Sequence, residues 1–250
     1  MVYDKEHYQK HPTTLRSCII AEEGYTFINL DASQIELRVL AILSGDSQML
    51  EDLKTGDLHL ATAIHMFGWT DNEADMKSRR YKAKQSNFAE VYGANEFKLS
   101  EMLECTVEEA LEFIAERHRI YPVLYQWIEA TKVKAREDGF VVNIFGRIRP
   151  LPELSAGSWK MREKAERECV NTIVQSSAVD YVKKMMLYLR AILEPKIRLV
   201  LQVHDEVLWE CPDNLLQQAL VLCGGLAQAF PDYPVAIKCG KIYGELKGVE

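Results

Sequence analysis

The chain has 250 residues, 48% of them hydrophobic, six cysteines and a formal net charge of −7. That length supports one sizeable core, or one core with a helical subdomain inserted, while the polar start and the lack of any apolar run near ~18 residues lead us to expect neither an export signal nor a membrane span. Cys18, Cys105, Cys169, Cys211, Cys223 and Cys239 are scattered without a Cys-x-x-Cys or zinc spacing, so reduced thiols in an intracellular protein are expected.

Residues 1 to 24 read as an irregular lead-in with one strand near Leu15 to Ala21. Tyr25 to Leu30 is aromatic and β-branched and predicts a buried strand. Asp31 follows at once, and beyond Ser33, a good N-cap, a helix runs to Ser44 and stops at Gly45. A carboxylate at the end of a buried strand, beside a helix start, suits a metal ligand. It equally suits the plain end of a strand or a helix cap.

Asp57 to Phe67 predicts a helix ending at Gly68, with His59 near its start as a surface, capping or ligand residue. Thr70 to Met76 reads as a polar, acidic break. Lys77 to Gly93, KSRRYKAKQSNFAEVYG, places Arg80, Lys84, Phe88 and Tyr92 four apart on one helix face. Two neighbouring cations without carboxylates among them repel, so the face is poor as a mere stabiliser. It suits a polyphosphate along the cations and a planar base on the rings; the alternative is a solvated basic face with its aromatic end in the core. The whole chain is acidic, which argues against nucleic acid. This stretch and a second basic region, Lys132 to Arg167, make an acidic body with basic working faces.

Ser100 to Ala135 is helical in composition, with Thr106 and Glu109 as a capping box and Pro122 dividing two helices. A turn at Glu137 to Gly139 leads to a strand over Phe140 to Phe145, then a basic loop from Gly146 to Pro152. Trp159 to Leu193 reads as a long helix, continuous or broken, on which Arg167, Asn171 and Gln175 fall four apart, either as donors to the groove of a duplex or as a polar outer stripe. Ile197 to Glu210 predicts a hairpin with His204, Asp205 and Glu206 at its turn, an arrangement that packing alone does not explain. Asn214 to Phe230 is a mostly apolar helix, and Val235 to Lys238 a strand.

DASQIELR, RRYKAKQSNFAEVYG and LQVHDEV, with DLHLATA, FGRIRPLPEL and RECVNTIVQSSAVD between and around them, resemble in order and spacing the motifs of family A DNA polymerases, from about Leu15 to the C-terminus. The resemblance implies an α+β fold: a right-hand palm, an antiparallel sheet with helices, and a helical fingers insertion, with palm over residues 1–60 and 166–250 and fingers over 61–165. Thumb and exonuclease domains are expected to be absent.

It further implies template-directed synthesis from deoxynucleoside triphosphates without proofreading. Asp31, Asp205 and the Ala32 carbonyl would hold two magnesium ions, for which manganese substitutes, and Glu206 would be auxiliary. His59, Arg80 and Lys84 would grip the triphosphate, Lys84 also protonating pyrophosphate. Phe88 would flank the incoming sugar and base, Tyr92 would sit by the templating position, Glu36 would gate the 2′-hydroxyl and Gln34 would lie beside it. Arg167, Asn171, Gln175 and His204 would contact primer-template DNA. A partner chain supplying a thumb is the alternative setting. Ala32 stands where the family usually has an aromatic residue and Ala89 where it has glycine, which loosens the packing beside Glu36 and stiffens the helix by up to ~1 kcal/mol. Gln175-Ser176-Ser177 replaces a glycine-containing turn.

Overall fold

The computed structural model describes residues 15–91 and 93–249, without the side chains of residues 90 and 91. Tyr92 lies outside the described residues. The chain divides into two compact units, one comprising the described residues up to Ile35 and from Ala178 onward, the other Glu36–Ser177.

The first unit is built on an antiparallel sheet. β1 (Tyr25–Ala32), β4 (Arg198–Val203), β5 (Glu206–Pro212), β6 (Val235–Gly240) and β7 (Lys247–Gly248) lie in the order β4-β5-β1-β6-β7. β1 is central, which is why its residues are almost all buried while the edge strand β4 is largely exposed. Its alternation sorts two faces. Phe27 packs with Leu208 and Tyr243, and further along the same face stand Asn29 and Asp31. The α9 (Leu216–Gly224) and α10 (Leu226–Ala229) helices occupy the stretch expected as one helix; Gly225 separates them. The strand expected over Leu15–Ala21 is replaced by a helical turn at Leu15–Arg16 and a single bridge from Ile20 to Ile242.

In the second unit, α2 (Ser47–Lys54), α3 (Leu58–Phe67), α4 (Glu73–Val91), α5 (Glu96–Leu103), α6 (Val107–Ile120) and α7 (Pro122–Asp138) follow one another. α1 (Ile35–Ser44) and α8 (Trp159–Ile192) contribute residues to both units. Gly45, at φ 66°, ends α1 as expected, and Thr106 and Glu109 form the expected capping box.

α4 begins four residues before its expected start. The Asn72 side chain accepts from Ala74 N and Asp75 N at 3.1 and 3.2 Å, and Glu73 and Asp75 pair with Lys77 and Arg79 one turn on. Acidic residues that read as a break thus serve as a first helical turn, where they suit the dipole. The basic loop after Gly146 is likewise partly strand: β3 (Ile148–Pro150) pairs with β2 (Phe140–Val142) in a two-stranded ribbon. α2 was not foreseen, because its cap, Asp46, acts on more than its own helix. Its Oδ1 accepts from Met49 N at 3.0 Å, while Oδ2 accepts from Val123 N and Leu124 N at 3.0 and 3.1 Å at the start of α7.

Candidate active site

In the first unit the site forms at one end of the sheet. Cross-strand register sets Asp31 opposite Glu206 on β5 and Ala236 on β6, with Asn29 opposite Lys238. The β4–β5 turn is His204–Asp205, tight enough that His204 adopts φ 51°, and the Ala32 N–H donates to the Asp205 carbonyl at 3.2 Å. Asp31, Asp205 and Glu206 are thereby gathered from two distant segments, and Ala32 itself is 1% exposed. Burial, and then the Asp205 charge, raise the Asp31 carboxyl above its usual range; Glu206 adds to this, and Lys238, with Nζ 3.8 Å from Oδ2, counteracts it. His204 is exposed on the same turn, and Gln34 holds a left-handed conformation at φ 54° just after β1.

Asp31 and Asp205 are half-buried carboxylates of like charge beside a third, and they offer hard oxygen donors. Among the described residues no three His, Cys, Asp or Glu side chains converge as a ready cage. An open pair of carboxylates fits magnesium, which keeps water and substrate phosphate as its other ligands.

In the second unit, α4 carries Arg80, Lys84 and Phe88. Arg80 does have a carboxylate partner, supplied by another element: its Nε lies 2.7 Å from Oδ2 of Asp57, the residue that also caps α3 by accepting from Leu60 N at 3.2 Å. Lys84 is exposed. His59, on α3, is only 3% exposed; its ring stacks at a tilt on Phe88, with centroids 5.5 Å apart, and its Nδ1 is 3.0 Å from Asn87 Nδ2. Burial, reinforced by the Arg80 and Lys84 charges against Asp57, drops the imidazole to about 4. It is neutral at pH 7. Asn87 also donates to Thr62 Oγ1, which meets the Tyr121 hydroxyl, itself donating to Asp52 Oδ2 at 2.8 Å. Ala89 buries its methyl against Leu99 and Leu103, and Glu36 lies in the first turn of α1.

The stripe expected on α8 divides. Asn171 and Gln175 line a groove of about 430 Å³ together with Arg147, Arg149 and Thr172. Arg149 reaches Thr172 Oγ1 at 2.5 Å and Glu168 at 2.8 Å. Arg167 instead pairs with Glu163 at 2.7 Å and borders a second groove, of about 560 Å³, with Phe88, Gly93 and Lys98. Arg147, Arg149, Asn87 and Asp57 were absent from the expected site. FGRIRPLPEL signalled the first two by its charge, whereas Asp57 and Asn87 lie within the quoted DLHLATA and RRYKAKQSNFAEVYG segments and only their contacts single them out.

The family model for DNA polymerase family A matches residues 6–240. The chain belongs to DNA polymerase family A. It is 41% identical over 210 residues to a thermostable DNA polymerase I of Thermus thermophilus, covering 83% of this chain and 25% of that protein. DNA polymerase I of Pseudomonas aeruginosa is 33% identical over 235 residues, 90% of this chain and 25% of that protein. The family A chain thus spans about a quarter of the length of these relatives. Its structure resembles the POL domain of Pol1 from M. smegmatis, solved in complex with DNA primer-template and dNTP, with a TM-score of 0.85, 29% identity and coverage of 93% of this chain and 42% of that one. The α+β class and the helix-rich, antiparallel-sheet architecture are those of a family A POL domain.

Proposed function

We propose that this family A chain carries palm and fingers of a DNA-directed DNA polymerase and performs nucleotidyl transfer from deoxynucleoside triphosphates to a primer 3′-hydroxyl. The observation that carries the reading is the register that brings Asp31 opposite Glu206 and ties Ala32 to Asp205 at one sheet end. Family A polymerases generally use divalent metal ions. Here Asp31, Asp205 and the Ala32 carbonyl would hold two magnesium ions, with manganese as a substitute; when bound, such a pair activates the 3′-hydroxyl and stabilises the leaving pyrophosphate.

The chain's own residues divide the remaining work. Arg80 and Lys84 bind triphosphate oxygens, and Arg80, held by Asp57, presents a guanidinium whose direction is set in advance. Neutral His59 contributes a polar ring rather than a charge. Lys84, exposed and cationic, supplies a proton to pyrophosphate. Phe88 offers a ring to sugar and base, Tyr92 the templating position, and Glu36 with Gln34 the check on the 2′ position. Asn171 and Gln175, with Arg167 and His204, contact primer-template DNA. The assignment places palm in residues 1–60 and 166–250 and fingers in 61–165, with no proofreading from these residues.

The net charge of −7 favours a second reading: a chain that binds primer-template weakly and is active only with a partner supplying a thumb. Primer extension on a labelled primer-template with magnesium and four deoxynucleotides, comparing the wild type with Asp31→Ala, tests both. Extension lost only in the variant supports autonomous synthesis. Folded but inactive proteins of both kinds overturn it and favour the partner reading.

A further inference from the structure

Around Glu206 the two ends of the described chain meet. The Ala21 N–H donates to Lys241 O at 2.8 Å and the Tyr243 N–H to Ile19 O at 3.0 Å, while Ile20 bridges Ile242. These bonds bring Arg16 and Tyr243 to the same carboxylate. Arg16 Nη1 reaches Oε2 of Glu206 at 3.0 Å and Oε1 at 3.2 Å, and the Tyr243 hydroxyl donates to Oε2 at 2.5 Å. The guanidinium carbon also stands 4.7 Å from the Tyr243 ring centroid, so the two partners hold each other. With the Glu206 side chain 17% exposed and Tyr243 5% exposed, these are partly desolvated, charge-assisted bonds rather than a solvated surface pair.

Glu206 follows Asp205 directly and lies in register opposite Asp31. A carboxylate left loose there is drawn into the coordination of any divalent ion held by the two aspartates, because that attraction exceeds one hydrogen bond. Both of its oxygens are instead engaged by Arg16 and Tyr243. We propose that Arg16 and Tyr243 are positioning residues that tether Glu206 outside the ligand set of an ion held by Asp31 and Asp205, an inference that rests on the metal-dependent reading of this site. Two carboxylates rather than three leave the ion more electrophilic and keep coordination positions open for water and phosphate oxygen. Tyr243 contributes through one hydroxyl, so its removal is a clean probe.

The experiment is manganese binding to the full chain without DNA or nucleotide, read by paramagnetic resonance of the free ion, for the wild type, Tyr243→Phe, Glu206→Gln and the double variant. Tyr243→Phe is expected to tighten binding at least about threefold, on the scale of an added carboxylate ligand, and Glu206→Gln is expected to abolish that gain. Arg16→Lys, which retains the charge, is expected to fall between wild type and Tyr243→Phe. Unchanged affinity in Tyr243→Phe, or tightening that survives Glu206→Gln, overturns the tether. If circular dichroism shows Tyr243→Phe misfolded, Arg16→Gln, which keeps the ring, is judged by the same two outcomes. The failures are separable: wild-type protein that binds manganese through Asp31 but extends no primer overturns autonomous synthesis and leaves the affinities to decide the tether.

Discussion

Arg80 illustrates what surroundings do to a single residue. On its helix it is one cation next to another; in the folded unit it is oriented by Asp57. His59 is the sharper case, since burial makes it neutral. In the unfolded chain its imidazole titrates near ~6.5, whereas the folded form resists protonation until about 4. The stabilising contribution is therefore complete above the unfolded value and is lost as pH falls through that window, amounting to about 3 kcal/mol. Urea unfolding at pH 7, 5.5 and 4 should show this fall, and His59→Gln should flatten it; equal slopes in both proteins would contradict a buried neutral imidazole. For Lys84→Ala we expect nucleotide use to drop about 10²-fold or more with primer-template affinity nearly unchanged, checked by single-turnover incorporation beside a DNA-binding titration. Comparable losses in both would refute the triphosphate role.

At the scale of elements, caps and turns decide where helices meet. Asp46, only 1% exposed, satisfies backbone donors of α2 and α7 at once, and Tyr121, at the N-cap position of α7, makes no side-chain cap bond. Removing the carboxylate orphans three buried or half-buried N–H groups, so Asp46→Ala should cost about 2–4 kcal/mol, and Asp46→Asn, which keeps one acceptor oxygen, clearly less; denaturant melts that rank the two equally would remove the shared cap. Gly93 follows α4 at φ 70°, and a β-carbon there would collide with the aliphatic stem of Arg167. Gly93→Ala is expected to destabilise by about 1–3 kcal/mol, measured the same way, with a stability near wild type disproving the close approach. The long helices, the hairpin and the capping box were legible because each depends on periodicity or on residues three or four apart. The start of α4, the β2–β3 ribbon and α2 were not, since acidic residues, a basic loop and an unremarkable octapeptide became regular only through partners.

At the scale of the molecule, the sheet unit is closed by segments from opposite ends of the chain. Lys241 Nζ bonds to Tyr25 O and to Asp213, and Tyr243 and Leu246 fill the cluster around Phe27 and Leu208. Truncation after Gly240 should therefore lower stability by about 3 kcal/mol or more, roughly 6–12 °C in melting temperature for a chain of this size; an unshifted melting curve would mean that the tail closes nothing. Among the described residues all six cysteines are free, and burial lifts the thiols of Cys169 and Cys211 to about 11 and Cys223 to about 12. Cys169, Cys211 and Cys223 are thus buried packing groups.

The sequence by itself determined the family and the class of fold, and it singled out Asp31, Asp205, Lys84 and Arg80 as the residues proposed to act, because motif residues and hydrophobic periodicity are local and survive reading in one dimension. Only the tertiary structure decided which atoms face one another. Asp57 beside Arg80, Asn87 beside His59, Asp46 under α7, and Arg16 with Tyr243 on Glu206 are pairings across 23 to 190 residues. Such contacts leave no periodic trace, since they arise from sheet register and helix packing rather than from the spacing of neighbours along the chain.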